Sequence, residues 1–343
     1  MPPPTAATPA MFPATFHISR LSPRARCRRL LFAAVALLLS FQGQAQTPPD
    51  CPATQHAPPS AEETREYLKN ARDHGFLWRI EKDGRASYLY GTVHVGKQEW
   101  LYPGPLMRRA MAETDTVALE MDVLDPAIAA RIQQLMLFRK GPKLPAGLQE
   151  RIRRQAEASC LPYAAIAALS PELQVVTLTV MLAKKEGLDP AYALDVMLAG
   201  FGHGTKRPVV SLEEPELQMK ALHMKTPRET QAFVEASLNS LESEKALGAL
   251  RRLAKAWEEG DYATMADYPA WCECMETPVE RKAMQRLLNE RNPDMAKRID
   301  QLHRQGSRVF AGVGSLHLFG PTGLPALMQK KGYTVERIDF ARP

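Results

Sequence analysis

The chain has 343 residues, 44 basic against 38 acidic side chains, and a formal charge of +6. Arg20, Arg24, Arg26, Arg28 and Arg29 lie in the first 45 residues, which hold no acid, so about one positive charge remains on the rest. With no Lys/Arg stripe interleaved with aromatics downstream, that balance excludes nucleic acid as a partner, and the length allows a sizeable core in one domain or two.

Residues 1–45 have the grammar of a secretory signal: the arginines, an apolar run from Leu30 to Phe41, and a small-x-small end at Gly43-Gln44-Ala45, with cleavage expected before Gln46. The run of about a dozen residues is short for a bilayer span, and an uncleaved anchor is the alternative. The expected location is periplasmic or secreted, with no membrane segment after cleavage. Without Cys27, four cysteines remain: Cys51, Cys160, Cys272 and Cys274. An even number in an oxidising compartment favours disulfides, with three pairings possible. Zinc is the competing reading, but Cys272-x-Cys274 lacks the two-residue spacer of a zinc knuckle.

Residues 46–59, rich in proline, read as a disordered tail, and residues 60–343 as a single domain. Ser60 and Glu63 form a capping box that opens a helix to about Arg72. Phe76–Glu81 and Ala86–Tyr90 pair as a hairpin around Lys82-Asp83-Gly84-Arg85. Gly91 is expected to turn the chain out of the sheet, leaving His94 near the strand's carboxyl end. A helix over Pro105–Glu113 and a buried strand over Thr116–Met121, carrying Glu120 at its end, follow.

Apolar spacings of three and four then predict helices over Ile128–Phe138, Leu148–Ala158, Tyr163–Ala168, Pro171–Lys185 and Tyr192–Leu198. Gly200–Gly204, which contains His203, reads as a flexible turn. Pro208–Leu212 is a strand leading to Glu213. Helices are expected over Glu216–Met224, Pro227–Gly260 and Pro278–Glu290, and a further one runs from Pro293 to about Arg304 with Asn292 as its cap. Strand Val309–Gly312, helix Leu324–Lys331 and strand Thr334–Asp339 close the chain. Strands at both ends with helices between them predict an α/β fold: a mixed central sheet built from both termini, with large helical insertions.

The order strand, glycine, two residues, histidine occurs twice, as Gly91-Thr-Val-His94 and Gly314-Ser-Leu-His317. Two imidazoles with Glu120 or Glu213, each delivered from a strand end, match the ligand set of a divalent transition metal. A carboxylate not used as a ligand could act as general base. H-E-x-x-H, G-x-S-x-G and P-loop motifs are absent. Gly312-Val-Gly314 begins like a dinucleotide fingerprint, but His317 stands where its third glycine would be. His56, His74, His223 and His303 have no partner at ligand spacing and read as structural or surface residues. Gln218 and His223, five apart on a helix, face different ways.

Gly91-Thr-Val-His94, Ala118-Leu-Glu120-Met, Leu194-Asp195, Pro208-Val-Val-Ser-Leu-Glu213 with Gln218, Arg291-Asn292, and Gly314-Ser-Leu-His317 with Lys331-Gly332-Tyr333 together resemble the TraB/GumN family. That family includes the Tiki metalloproteases and is similar to the erythromycin-esterase and haem-handling ChaN folds. The resemblance covers residues 75–340. It implies a mixed α/β fold whose site is lined by His94, Glu120 and His317, with manganese or cobalt bound in proteolytic members and zinc as another divalent option. It also implies a substrate-side role for Arg291, Asn292 and Glu213. The expected function is a metal-dependent hydrolase acting on a peptide or small molecule, with His94 and His317 as ligands and Glu120 as ligand or base. A non-enzymatic metal or haem carrier and a metal-free esterase-like hydrolase are the alternatives.

Overall fold

The structure is a computed structural model that describes residues 58–138 and 141–340. The expected leader and most of the proline-rich tail lie outside the described residues.

Helix α1 (Ala61–Asn70) starts at the capping box: Glu63 N donates to Ser60 Oγ at 3.2 Å, and Ser60 N donates to Glu63 Oε2 at 2.8 Å. Strands β1 (Phe76–Lys82) and β2 (Arg85–Thr92) pair through a two-residue turn, with φ of 51° at Asp83 and 70° at Gly84. Positive φ at both central residues defines the tight type that matches strand twist. Strand β2 runs on through Gly91 instead of turning out of the sheet there. A Cβ at Gly91 would sit 2.6 Å from Ser315 Oγ, so the glycine serves close approach of the second histidine loop.

After α2 (Pro105–Ala112), strand β3 (Thr116–Leu119) stops one residue before Glu120. The helices α3 (Pro126–Phe138), α4 (Ala146–Ala158), α5 (Pro171–Leu182) and α6 (Leu194–Gly204) follow. Only a single turn, Tyr163–Ala165, forms where a helix to Ala168 was expected. The supposed flexible turn at Gly200–Gly204 is instead the last turn of α6. Gly202 lets the helix lie close on the sheet, where a Cβ would meet Val209 Cγ2 at 2.4 Å.

Strand β4 (Val209–Ser211) leads to α7 (Pro215–Leu222), α8 (Pro227–Glu242) and α9 (Lys245–Glu258). The single long helix expected from Pro227 breaks at Glu244, whose φ of 60° is left-handed. Short helices α10 (Tyr262–Ala266) and α11 (Tyr268–Trp271) precede α12 (Pro278–Met284). A π-helical turn, Gln285–Asn289, then joins α12 to α13 (Asn292–Arg304). Strand β5 (Val309–Gly314), helix α14 (Leu324–Lys330) and strand β6 (Thr334–Ile338) complete the fold.

The fold is mixed α/β. Its sheet has the order β4-β3-β5-β2-β1-β6, parallel across β4, β3, β5 and β2 and antiparallel at the β1 and β6 edge. Strands from the two ends of the chain meet at its centre, with Gly91 opposite Val313 and Thr92 opposite Gly314. One apolar core lies against this sheet, built on Leu77, Leu89, Leu119, Leu198 and Phe310. A second binds α4, α5 and α8 through Ile152, Leu178, Val234 and Leu238. Cys272 and Cys274 form a disulfide, and Cys160 is disulfide-bonded too. The zinc reading of the C-x-C pair therefore gives way to the disulfide one.

Candidate active site at the carboxyl ends of the parallel strands

The three central parallel strands β3, β5 and β2 end side by side, and each delivers one reactive side chain at its carboxyl end: Glu120, His317 and His94. Crevices beyond these ends are where open α/β sheets bind ligands. A Cβ placed on Gly314 would lie 3.1 Å from Glu120 Oε1, 3.6 Å from His317 Cδ2 and 3.7 Å from His94 Nε2. The three expected residues therefore converge on one glycine. The main-chain N–H of Gly314 donates to Glu120 Oε1 at 2.7 Å.

Each imidazole is held by a different acceptor. His94 Nδ1 donates to Asp195 Oδ2 at 2.6 Å, and Thr92 Oγ1 fixes the other carboxylate oxygen at 2.5 Å. His317 Nδ1 donates to Asn292 Oδ1 at 2.6 Å, while Asn292 Nδ2 donates to the Thr322 carbonyl at 2.8 Å. Because both partners are acceptors, the Nδ1 atoms carry the protons. At neutral pH the Nε2 of His317 then carries no proton, whereas His94, its pKa raised by Asp195, keeps a second proton on its Nε2.

Asn292 does not cap α13: it lies inside the first turn, 1% exposed, with its side chain given to His317. The helix begins instead from Arg291, so the expected capping role is replaced by an orienting one.

The carboxylates share one guanidinium. Arg291 Nη2 donates to Glu120 Oε2 at 2.5 Å and to Glu213 Oε2, and its Nε donates to Glu213 Oε1 at 2.9 Å. Arg291 Nη1 donates to the Leu287 carbonyl at 2.9 Å and lies 3.4 Å from His317 Nε2. Leu287 belongs to the π-helical turn, a local distortion that recurs at functional sites. Gln218 Nε2 completes the cradle of Glu120 at 3.0 Å.

Electrostatics separate the two histidines. Asp195 raises the His94 pKa to about 9, although its side chain is 65% exposed and water screens the pair. Burial lowers His317 to about 4, so it is neutral at pH 7. Burial alone would raise Glu120, but the surrounding positive charge, with Arg291 at hydrogen-bond distance, brings it down to about 2. Burial raises Glu213, against the pull of Arg291.

Sequence patterns did not assign roles to Asp195, Thr92 or Gln218. The Leu194-Asp195 pair carried the family likeness, but nothing local ties Asp195 to His94, 101 residues away. Of the histidines expected to be structural or surface residues, His56 lies outside the described residues; half-buried His74 bonds to the Glu258 carbonyl, and buried His223 and His303 bond to Ser170 and Met219 and to the Lys82 carbonyl. His203, exposed on α6, pairs with Asp122 at 2.8 Å.

The TraB/PrgY/gumN family model matches residues 76–337, which takes in all of the sheet but the last residue of β6 and every residue of this site. The chain belongs to the TraB/PrgY/gumN family. Among curated proteins it is similar to metalloprotease TIKI2 of Danio rerio, 29% identical over 89 residues. That match covers 24% of this chain and 17% of the relative. No solved structure matches.

For a TraB/PrgY/gumN protein with a metalloprotease relative, the fit of a divalent ion bears on these side chains. Two imidazoles and a low-pKa carboxylate are the right donors in kind, and the Nδ1 partners of the imidazoles supply the outer support that metal-bound imidazoles use. Among the described residues, however, no group of three His, Cys, Asp or Glu side chains is gathered closely enough to hold an ion as it stands. Glu120 is instead engaged by Arg291, Gln218 and Gly314. No described helix is long and apolar enough to cross a membrane.

Proposed function

We propose that this chain is a metal-dependent hydrolase of peptide bonds, acting in the periplasm or outside the cell. One observation carries the reading: two G-x-x-H loops from adjacent parallel strands aim oriented Nε2 atoms at the same buried carboxylate. Family membership and the partial likeness to a metalloprotease point the same way. The disulfides accord with an oxidising compartment.

His94, His317 and Glu120 would hold the ion, with manganese or cobalt preferred and zinc possible. Such an ion supplies Lewis-acid activation of a carbonyl and of water. His317, neutral at pH 7, is ready to ligate without losing a proton, whereas His94 must give one up. Arg291 keeps Glu120 ionised and carries Glu213 on its other edge. Were Glu120 to serve as a ligand, Glu213, which accepts from Arg291 Nε at 2.9 Å, would keep the guanidinium paired.

A second reading draws on Arg291 itself, which already places a fixed positive charge 2.5 Å from Glu120. In that reading neutral His317, whose Nε2 lies 3.4 Å from Arg291 Nη1, is the base that activates water without an added ion. Mass-spectrometric analysis of a peptide mixture incubated with the chain, with and without chelator and with manganese or cobalt restored, separates the two. Cleavage that the chelator abolishes and the ions restore supports metal dependence. Cleavage indifferent to chelator moves the assignment to the metal-free reading, and no cleavage under any condition removes the peptidase assignment.

A further inference from the structure

The disulfide between Cys272 and Cys274 borders a cavity of about 250 Å³ that the candidate active site does not use. Helices α5, α8, α9 and α12 and the π-helical turn line it, through Val176, Phe233, Leu250, Leu253, Met284 and Leu287. Both cysteines face the same space. The acids on its wall are engaged: Glu273 pairs with Lys245 at 3.2 Å, and Glu280 Oε2 accepts from Thr277 N at 2.8 Å. The cavity is therefore largely apolar, with a disulfide bond in its wall.

A bridge with one residue between its cysteines closes so short a loop that it constrains little of the unfolded chain. Stapling is a poor account of it. Its middle residue, Glu273, has a φ of 51°, in the left-handed region that residues other than glycine adopt at a cost. Disulfides that are strained or open to a partner are the ones that exchange with thiols, whereas relaxed structural ones stay oxidised.

The two sulfurs are not equivalent. Cys272 is 4% exposed while Cys274 is only half-buried, so attack by a thiolate falls on Cys274. The main-chain N–H of Cys274 donates to Cys272 Sγ at 3.2 Å, and the Tyr268 hydroxyl stands 3.5 Å from Cys274 Sγ. Each sulfur thus has a donor placed to steady the negative charge it gains when its bond opens.

We propose that Cys272 and Cys274 form a thiol–disulfide exchange site that oxidises dithiols carrying apolar groups, a function separate from the hydrolytic one. A substrate thiolate attacks Cys274 Sγ; a new S–S bond forms between them, and the electron pair of the old bond leaves on Cys272 Sγ. The second substrate thiolate then attacks the substrate sulfur of that mixed disulfide and expels Cys274 Sγ. The two protons given up by the substrate thiols end on Cys272 and Cys274. The dithiol loses two electrons and becomes a disulfide, and the bridge gains them, one equivalent per chain. The cavity receives the apolar group beside the attacking thiol.

The full, unaltered chain is mixed with a reduced two-cysteine peptide bearing leucine beside each cysteine, or with its serine counterpart, then quenched with acid, alkylated and mapped by mass spectrometry. Peptide disulfide is expected to form, up to one per chain, as thiols appear on Cys272 and Cys274, with the leucine peptide faster on the order of tenfold. Glutathione disulfide should be captured on Cys274 in a Cys272→Ser variant, and far less on the buried Cys272 of a Cys274→Ser variant. A bridge that stays closed beside the reduced peptides, or thiols that appear only at other cysteines, overturns the proposal. So do equal rates for the two peptides, and capture on Cys272 in preference to Cys274. None of these readouts requires hydrolysis, so they stand whether or not the chain cleaves peptides.

Discussion

The Asp195 carboxylate beside His94 and the burial of His317 shift the two imidazoles in opposite directions, and most of the site's pH behaviour follows from that difference. His317 is depressed to about 4 from an ordinary 6.5, so stability present above pH 6.5 drains as pH falls toward 4. Glu120 is depressed to about 2, so its contribution is present above 4.5 and is lost as pH falls through 2. His94 runs the other way: raised to about 9, it contributes fully below 6.5 and loses that contribution as pH rises through 9, weakened by exposure to water. Melting temperatures measured against pH should therefore fall on the acid side in two stages. His317→Asn should remove the first stage, between 6.5 and 4, and Glu120→Gln the second. An identical acid profile in both variants would contradict the assignment.

Removing Arg291 leaves two buried carboxylates facing each other unpaired. Arg291→Ala should destabilise by roughly 3–5 kcal/mol in urea unfolding, and adding Glu213→Gln should recover part of that loss. Asp195→Asn should act mainly on ligation, lowering divalent-ion affinity by about 10–100-fold in titration calorimetry with little change in melting temperature.

At the level of elements, the site depends on how closely α6 lies against β5. A Cβ at Gly312 would stand 2.4 Å from Leu198 Cδ1, and Asp195 is carried on the same helix one turn earlier. Gly312→Ala should cost roughly 1–3 kcal/mol through overpacking and should also loosen the hold on His94. An NMR titration of the His94 ring in that variant should show its pKa moving down from about 9 toward 6.5. An unmoved pKa would uncouple the helix from the histidine.

Several elements were legible because their signals are local. The Ser60–Glu63 cap, the Asp83-Gly84 turn and the strand-end histidines each rest on chemistry spanning a few residues. The break at Glu244, the π-helical turn and the true partner of Asn292 were not, because each is decided by tertiary packing that overrides a continuous helical pattern. His203 shows the same limit, since the segment read as a flexible turn is helical and Gly202 packs it closely on the sheet.

For the molecule as a whole, His94, Glu120 and His317 were recognisable from repeated spacing and from family likeness, and the parallel pairing of β2 with β5 explains why that spacing matters. The family likeness marked the positions of Asp195, Thr92 and Gln218 but not their roles: Asp195 and Gln218 reach the site from distant segments, and Thr92, two residues before His94, acts through Asp195. The central claim is that the two G-x-x-H loops and Glu120 act together as one divalent-ion site despite the present hold of Arg291 on the carboxylate. The most direct measurement is equilibrium binding of manganese or cobalt to the full chain beside His94→Ala and His317→Ala. The account predicts near-stoichiometric uptake by the unaltered chain and its loss in both variants, each retaining its fold by circular dichroism. Uptake unchanged in either variant, or no uptake by the unaltered chain, would contradict it.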